Sequence, residues 1–137
     1  MTERSFVDTN ILVYAHDKSA GAKQIMAADL LDQGIQTGRL VLSTQVFQEF
    51  FASAVKKLGI DPAVARRTIE LYGTLQVVTI DLPDILAAID LQRLHHYSFW
   101  DALIIRAAQS ARCSILYTED LQHGQIIDGL KVVNPFL

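Results

Sequence analysis

Apolar residues fall along this chain at two spacings. Short unbroken runs at Phe6-Val7, Leu40-Val41-Leu42, Val77-Val78, Ile115-Leu116 and Val132-Val133 predict strands over Ser5–Asp8, Arg39–Ser43, Gln76–Ile80, Ser114–Thr118 and Lys131–Val133. Between them the spacing turns helical. Asn10–His16 reads as a brief helix, and Ala20–Gln36 as a longer one with Ile25, Leu30, Leu31 and Ile35 on its apolar side, stopped by Thr37-Gly38. Thr44 caps a helix whose apolar face carries Val46, Phe47, Phe50, Phe51, Ala54 and Leu58. After Gly59, Asp61-Pro62 starts a second helix, so that Thr44–Leu75 forms a helical hairpin. Asp81-Leu82-Pro83-Asp84 opens another helix, His95-His96-Tyr97 reads as a loop, and Ser98 caps a helix over Phe99–Arg112.

Short apolar strands alternating with helices predict an α/β fold, a parallel sheet covered on both faces. The 137 residues, half of them apolar, suffice for a single domain over 1–137 but not for two separate cores. No apolar run approaches the roughly 20 residues of a membrane span, and Met1-Thr2-Glu3-Arg4 leads straight into a strand without a signal-peptide pattern. A soluble cytoplasmic protein without a membrane partner is expected. Cys113, the sole cysteine, cannot form an internal disulfide and reads as a small buried residue at a helix end.

The net charge of −3 argues at first sight against a phosphate-bearing partner. Four acids alter that balance. Asp8, Glu49, Asp101 and Asp120 each interrupt or border an apolar segment near an element end, where an unpaired charge costs several kcal/mol by rough estimate. A bound cation would explain their retention. With those four of the fifteen acids assigned to a metal, eleven remain against twelve Lys and Arg, so a phosphodiester substrate is admissible. Lys56-Lys57 and Arg66-Arg67 are modest basic clusters that equally suit solvated helix surface.

Each acid has a plainer reading. Asp8 suits a helix cap as well as a metal site. Ser98-Phe99-Trp100-Asp101 fits a capping box, in which the acid reaches back to the cap amide. Glu49 lies among Phe47, Phe50 and Phe51, at the border of an apolar stripe. Glu119 and Asp120 share a loop, and the residues themselves do not separate them. His95, His96 and His123 lack zinc-ligand spacing, and a carboxylate set favours Mg²⁺ or Mn²⁺.

Taken in order, Phe6-Val7-Asp8-Thr9-Asn10-Ile11-Leu12, Ser43-Thr44-Gln45-Val46-Phe47-Gln48-Glu49-Phe50, Ser98-Phe99-Trp100-Asp101-Ala102-Leu103-Ile104 and Leu116-Tyr117-Thr118-Glu119-Asp120-Leu121-Gln122-His123-Gly124 resemble the motifs of PIN-domain proteins. They are most similar to the ribonuclease toxins of VapBC-type toxin-antitoxin pairs. The resemblance implies a PIN-like three-layer sandwich with strand order 3-2-1-4-5. It also implies an acidic quartet of Asp8, Glu49, Asp101 and Asp120 as the metal residues for Mg²⁺ or Mn²⁺, supported by Asn10 and Thr118, with Asp8 and Asp101 foremost as direct ligands and Glu49 and Asp120 binding directly, through water or together with substrate. The implied activity is endoribonucleolytic hydrolysis of RNA phosphodiesters. Implied partners are RNA, a cognate antitoxin whose tail lies along the Thr44–Leu75 hairpin, and a second copy in a homodimer. Phe47, Phe50, Phe51 and Leu58 offer the apolar surface for dimerisation unless they pack inside the monomer.

Two other functions compete. A phosphoacceptor signalling domain would need an acidic pair after the first strand and a Lys ending the last, but here a single Asp follows the first strand and Lys131 begins the last. An aspartyl phosphatase would need an acid at position 10, which is Asn10. The second competitor is a PIN-like module that binds RNA or protein without significant catalysis.

Overall fold

The computed structural model describes residues 3–137; Met1 and Thr2, at the expected leaderless start, lie outside the described residues. The strands are β1 (Ser5–Val7), β2 (Leu40–Ser43), β3 (Gln76–Val78), β4 (Ile115–Tyr117), β5 (Ile126–Ile127) and β6 (Leu130–Val133). The helices are α1 (Thr9–Ala15), α2 (Ala22–Thr37), α3 (Thr44–Lys56), α4 (Pro62–Tyr72), α5 (Leu82–His95) and α6 (Phe99–Ser110). The strands form one sheet in the order β3-β2-β1-β4-β6-β5. All neighbours are parallel except β5 with β6.

The expected order 3-2-1-4-5 is recovered with β6 as its fifth strand, and the added edge strand β5 lengthens the sheet. Its cause is local. Asp128-Gly129 joins β5 to β6 with positive φ at both residues, 48° and 86°, the two-residue hairpin turn that an Asp-Gly pair favours.

Crossovers between parallel strands are right-handed, and the chain steps from β1 to β2 to β3 in one direction before returning to β4 in the other. Helices α1–α4 therefore cover one face and α5–α6 the opposite one. In agreement, α1 packs on α2 and α3 while α5 packs on α6. The core lies where both helix layers meet the sheet, with Phe6, Val7, Val41, Leu42 and Leu116 fully buried between Leu12, Phe50, Ile104 and Ile105. Burial of one such side chain contributes about 1.5–3 kcal/mol.

Cap chemistry explains most helix starts. Asp61 accepts from the Ala63 N–H ahead of Pro62 at the start of α4, and Asp81 and Asp84 form a reciprocal box at α5. The cap of α3, however, is Ser43, which accepts from the Val46 N–H; the Thr44 hydroxyl instead accepts from the Ile80 N–H, fixing the end of β3 to α3. In α2 the buried positions are Ala27 and Leu31, whereas Ile25 and Ile35 face outward. His95 closes α5 rather than entering a loop, and His96 ends it in the left-handed conformation at φ 60°. Cys113 is buried, and that burial pushes its thiol up to about 12, an inert state. Among the described residues no helix is long and apolar enough to cross a membrane.

Candidate metal centre

Ligand sites of open parallel sheets form at strand carboxyl ends, where the strand order reverses. Here the reversal falls at β1, which has β2 on one side and β4 on the other. Asp8 directly follows β1. Its N–H donates to the Tyr117 carbonyl at 3.0 Å, prolonging the β1–β4 pairing, and its Oδ1 accepts from the Thr9 N–H at 2.7 Å as the cap of α1. Its Oδ2 accepts from the Thr118 hydroxyl at 2.8 Å. The carboxylate that caps α1 is thus also the one tied to the end of β4.

Asp101 lies in the first turn of α6, where its N–H donates to Ser98 Oγ at 3.1 Å. Only this half of the expected capping box forms. The Asp101 carboxylate instead meets those of Asp8 and Asp120, one oxygen from each, all within 4.8 Å of one another. Asp120 is held from below: its N–H donates to Thr118 Oγ1 at 3.1 Å, and its Oδ2 accepts from Asn10 Nδ2 at 2.9 Å. Asn10 Nδ2 also approaches Thr118 Oγ1 at 3.4 Å, so one buried hydroxyl links Asp8, Asn10 and Asp120.

Glu49 stands beside this trio, outside its 4.8 Å set. It accepts from the Thr9 hydroxyl at 2.6 Å and from Gln45 Nε2 at 3.3 Å. Glu119 turns away altogether, accepting from the Tyr14 hydroxyl and from Lys23 Nζ at 3.0 Å. The geometry therefore separates the two loop acids, with Asp120, the one the resemblance implied, beside Asp8 and Asp101. His95, His96 and His123 are exposed, and His123 Nδ1 is taken by the Asn134 N–H at 3.0 Å.

Clustering changes the acids' chemistry. Burial pushes the Asp8 carboxyl up to about 7, the Thr118 and Thr9 hydrogen bonds opposing and the charges of Asp120 and Glu49 assisting. Burial likewise raises Asp101, against the Ser98 hydroxyl and with help from Asp120 and Glu49. Two other acids shielded from solvent do have a cation: Asp84 pairs with Arg106 at 3.2 Å and Glu119 with Lys23 at 3.0 Å. Among the described residues Asp8, Glu49, Asp101 and Asp120 pair with no Lys or Arg.

These residues fit a hard divalent cation, which takes carboxylate oxygens and retains waters. Asn10 Oδ1 supports the fit, being buried without a hydrogen-bond partner and so free to accept from such a water.

A family model described as the PIN domain matches residues 5–127. The chain belongs to the PIN-domain family. Among solved structures, the sarcin-ricin-loop-cleaving toxin VapC20 of Mycobacterium tuberculosis aligns at TM-score 0.71 and 21% identity, over 85% of this chain and 91% of that one. A toxin-antitoxin complex from Klebsiella pneumoniae aligns at 0.70 and 24% identity, over 96% and 97%. DNA-bound VapBC from Salmonella typhimurium aligns at 0.68 and 17% identity, over 96% and 97%. These likenesses are likenesses of fold. A sequence search of curated proteins finds no match.

Within this PIN domain, sequence reasoning passed over Thr9, Gln45, Tyr14 and Lys23. Gln45 had a usable signal, since it stands four residues before Glu49 on one helix and therefore on the same face. Its Nε2 donates both to Glu49 and, at 3.2 Å, to the Trp100 carbonyl, joining α3 to the start of α6. Tyr14 and Lys23 carried no such signal, because their partner Glu119 is far away along the chain.

Proposed function

We propose that the protein, acting as one PIN domain over residues 1–137, is a Mg²⁺- or Mn²⁺-dependent endoribonuclease and the toxic member of a VapBC-type toxin-antitoxin pair in the cytoplasm. The observation that carries this reading is the trio Asp8, Asp101 and Asp120, converging within 4.8 Å at the reversal of the sheet and paired with no Lys or Arg among the described residues. The VapC20 structure, described as a sarcin-ricin-loop-cleaving toxin, supports RNA as the substrate class.

Asp8, Asp101 and Asp120 would hold the metal, which would supply a water of lowered pKa and positive charge against that developing on the phosphodiester. Thr118 and Asn10 fix the carboxylates, and Asn10 Oδ1 orients a water. Glu49, anchored by Thr9 and Gln45, stands at the edge of the trio where it lines the neighbouring cleft, and would act there through water.

A cleft of about 700 Å³ leads from Thr9, Asn10, Glu49 and Asp120 to Lys57 and Leu58. A second, of about 610 Å³, shares Lys57 and Leu58 and continues past Ile60 and Val64 of the helical hairpin. This path supports an antitoxin tail lying along the hairpin and reaching the acids. For a homodimer the support is narrower than expected: Phe50 is buried and Phe47 and Leu58 are half-buried, leaving Phe51 exposed beside Pro62, Ala63 and Ile69.

The test is cleavage of a mixed RNA pool by antitoxin-free protein with Mg²⁺, Mn²⁺ or EDTA, beside Asp8→Asn and Asp101→Asn proteins. Metal-dependent cleavage lost in both variants is the expected result. Equal cleavage by all three proteins would sink the assignment, and RNA binding without cleavage on natural targets would favour the non-catalytic module.

A further inference from the structure

Two adjacent acids, Glu119 and Asp120, leave β4 on a segment with no regular structure, yet their carboxylates point to different places. The dipeptide itself does not explain which of them joins Asp8 and Asp101, since the two differ by one methylene and carry the same charge, and the local Thr118 contact is with the Asp120 backbone N–H. The side-chain contacts from α1 and α2 do differ between them. Tyr14 donates its hydroxyl to Glu119 Oε1, and Lys23 Nζ lies 3.0 Å from Oε2, so that both oxygens are held.

The cation is itself fixed. Lys23 Nζ sits 4.9 Å from the centre of the Tyr14 ring and 5.3 Å from that of Phe136, and those rings pack edge to face at 5.2 Å. One turn earlier on the same face of α1, Asn10 Nδ2 holds Asp120 Oδ2 at 2.9 Å. A single helix thus addresses both acids, Asn10 taking Asp120 and Tyr14 taking Glu119.

We propose that Tyr14 and Lys23 are positioning residues for Asp120: by capturing Glu119 they set the rotation of the loop that turns Asp120 toward Asp8 and Asp101. This rests on the reading of the trio as a divalent-metal site. It assigns a role in metal binding to side chains that do not touch the metal, and it gives Glu119 the task of staying out of the site.

The experiment uses the full chain with Tyr14→Phe and Lys23→Met, each alone and combined with Asp120→Asn, and reads Mn²⁺ affinity by calorimetry. Tyr14→Phe removes only the hydroxyl and keeps the ring packing on Phe136. Each single variant is expected to weaken Mn²⁺ binding about tenfold, the scale of a lost outer-shell contact. Neither is expected to weaken it further once Asp120 is replaced, and Lys23→Arg should restore most of the affinity. Unchanged affinity in the single variants, or the same loss with and without Asp120, overturns the proposal, the second result marking a general effect on the fold. If the wild type binds no Mn²⁺, the metal reading fails by itself. The positioning claim is then judged by the NMR resonances of the Asn10 side-chain amide, with Asp120→Asn as the released reference. Movement toward that reference in Tyr14→Phe sustains the claim, and unmoved resonances refute it.

Discussion

The Thr118 hydroxyl donates to Asp8 Oδ2 at 2.8 Å from the neighbouring strand end, and both residues are buried, Thr118 completely. Thr118 Oγ1 itself accepts from the Asp120 N–H, while the hydroxyl's one proton is given to Asp8. Replacing Thr118 with the near-isosteric Val leaves the buried carboxylate short of a donor. The expected loss is about 2 kcal/mol of stability at pH 8, the scale of a hydrogen bond to a charged group. At pH 5, where Asp8 carries its own proton, the loss should be smaller. Chemical denaturation of metal-free Thr118→Val and wild-type proteins at the two pH values checks this, and an equal loss at both would count against it.

The raised carboxyl of Asp8 fixes the direction of the pH dependence. Between its ordinary value of 3.8 and about 7, the folded protein holds a proton that the unfolded chain has released. Stability of the metal-free protein therefore falls as pH rises through this window, by at most about 4 kcal/mol for a shift of this size. Asp101, raised for the same reason, acts in the same sense, whereas Asp84 and Glu119, both lowered, act below the ordinary carboxylate range. Asp8→Asn should flatten the curve. Excess Mg²⁺ should restore stability to the wild type at pH 8 and leave the variant unchanged, as read by thermal melting across pH.

What could be read from sequence was what is decided within a few residues. Buried strands declare themselves as apolar runs, and Asp61-Pro62 or Ser98 declare helix starts because cap and amide are close neighbours. The acids Asp8, Asp101 and Asp120 were legible as misfits at element ends, although only the fold brings Asp101 to the others. Side-chain choice between remote elements left no local trace: Lys23 reaching Glu119 is a product of packing. The β5–β6 hairpin was a different kind of omission, since Asp128-Gly129 is a local turn signal. In α2, Ala27 and Leu31 face inward and Ile25 and Ile35 stay exposed, so apolar spacing alone misplaced its buried face.

Glu49 and Asp101 should separate experimentally. Asp101 contributes an oxygen to the trio, while Glu49 stands beside it, tied to Thr9 at 2.6 Å. Asp101→Asn is expected to weaken Mn²⁺ binding at least about 100-fold, and Glu49→Gln no more than about tenfold, as for an outer-shell contact. Both should lose RNA cleavage. Equal losses of Mn²⁺ affinity would place Glu49 among the direct ligands.

Lys57 occupies the junction of the two clefts that lead away from the acids. The Arg66-Arg67 cluster is differently placed: Arg66 pairs with Glu70 at 2.7 Å and Arg67 approaches it at 3.8 Å, which leaves less free charge for a phosphate. If RNA enters along the clefts, Lys57 meets its backbone, and the contact carries no base information. In the Asp8→Asn protein, expected to bind RNA without cutting it, Lys57→Gln should weaken all RNA sequences alike. It should also lower the slope of log affinity against log salt by about 0.7, one phosphate contact on a single strand. Arg66→Gln should change the slope less. Fluorescence anisotropy over a salt series measures both, and an unaltered slope in Lys57→Gln would direct the RNA away from this path.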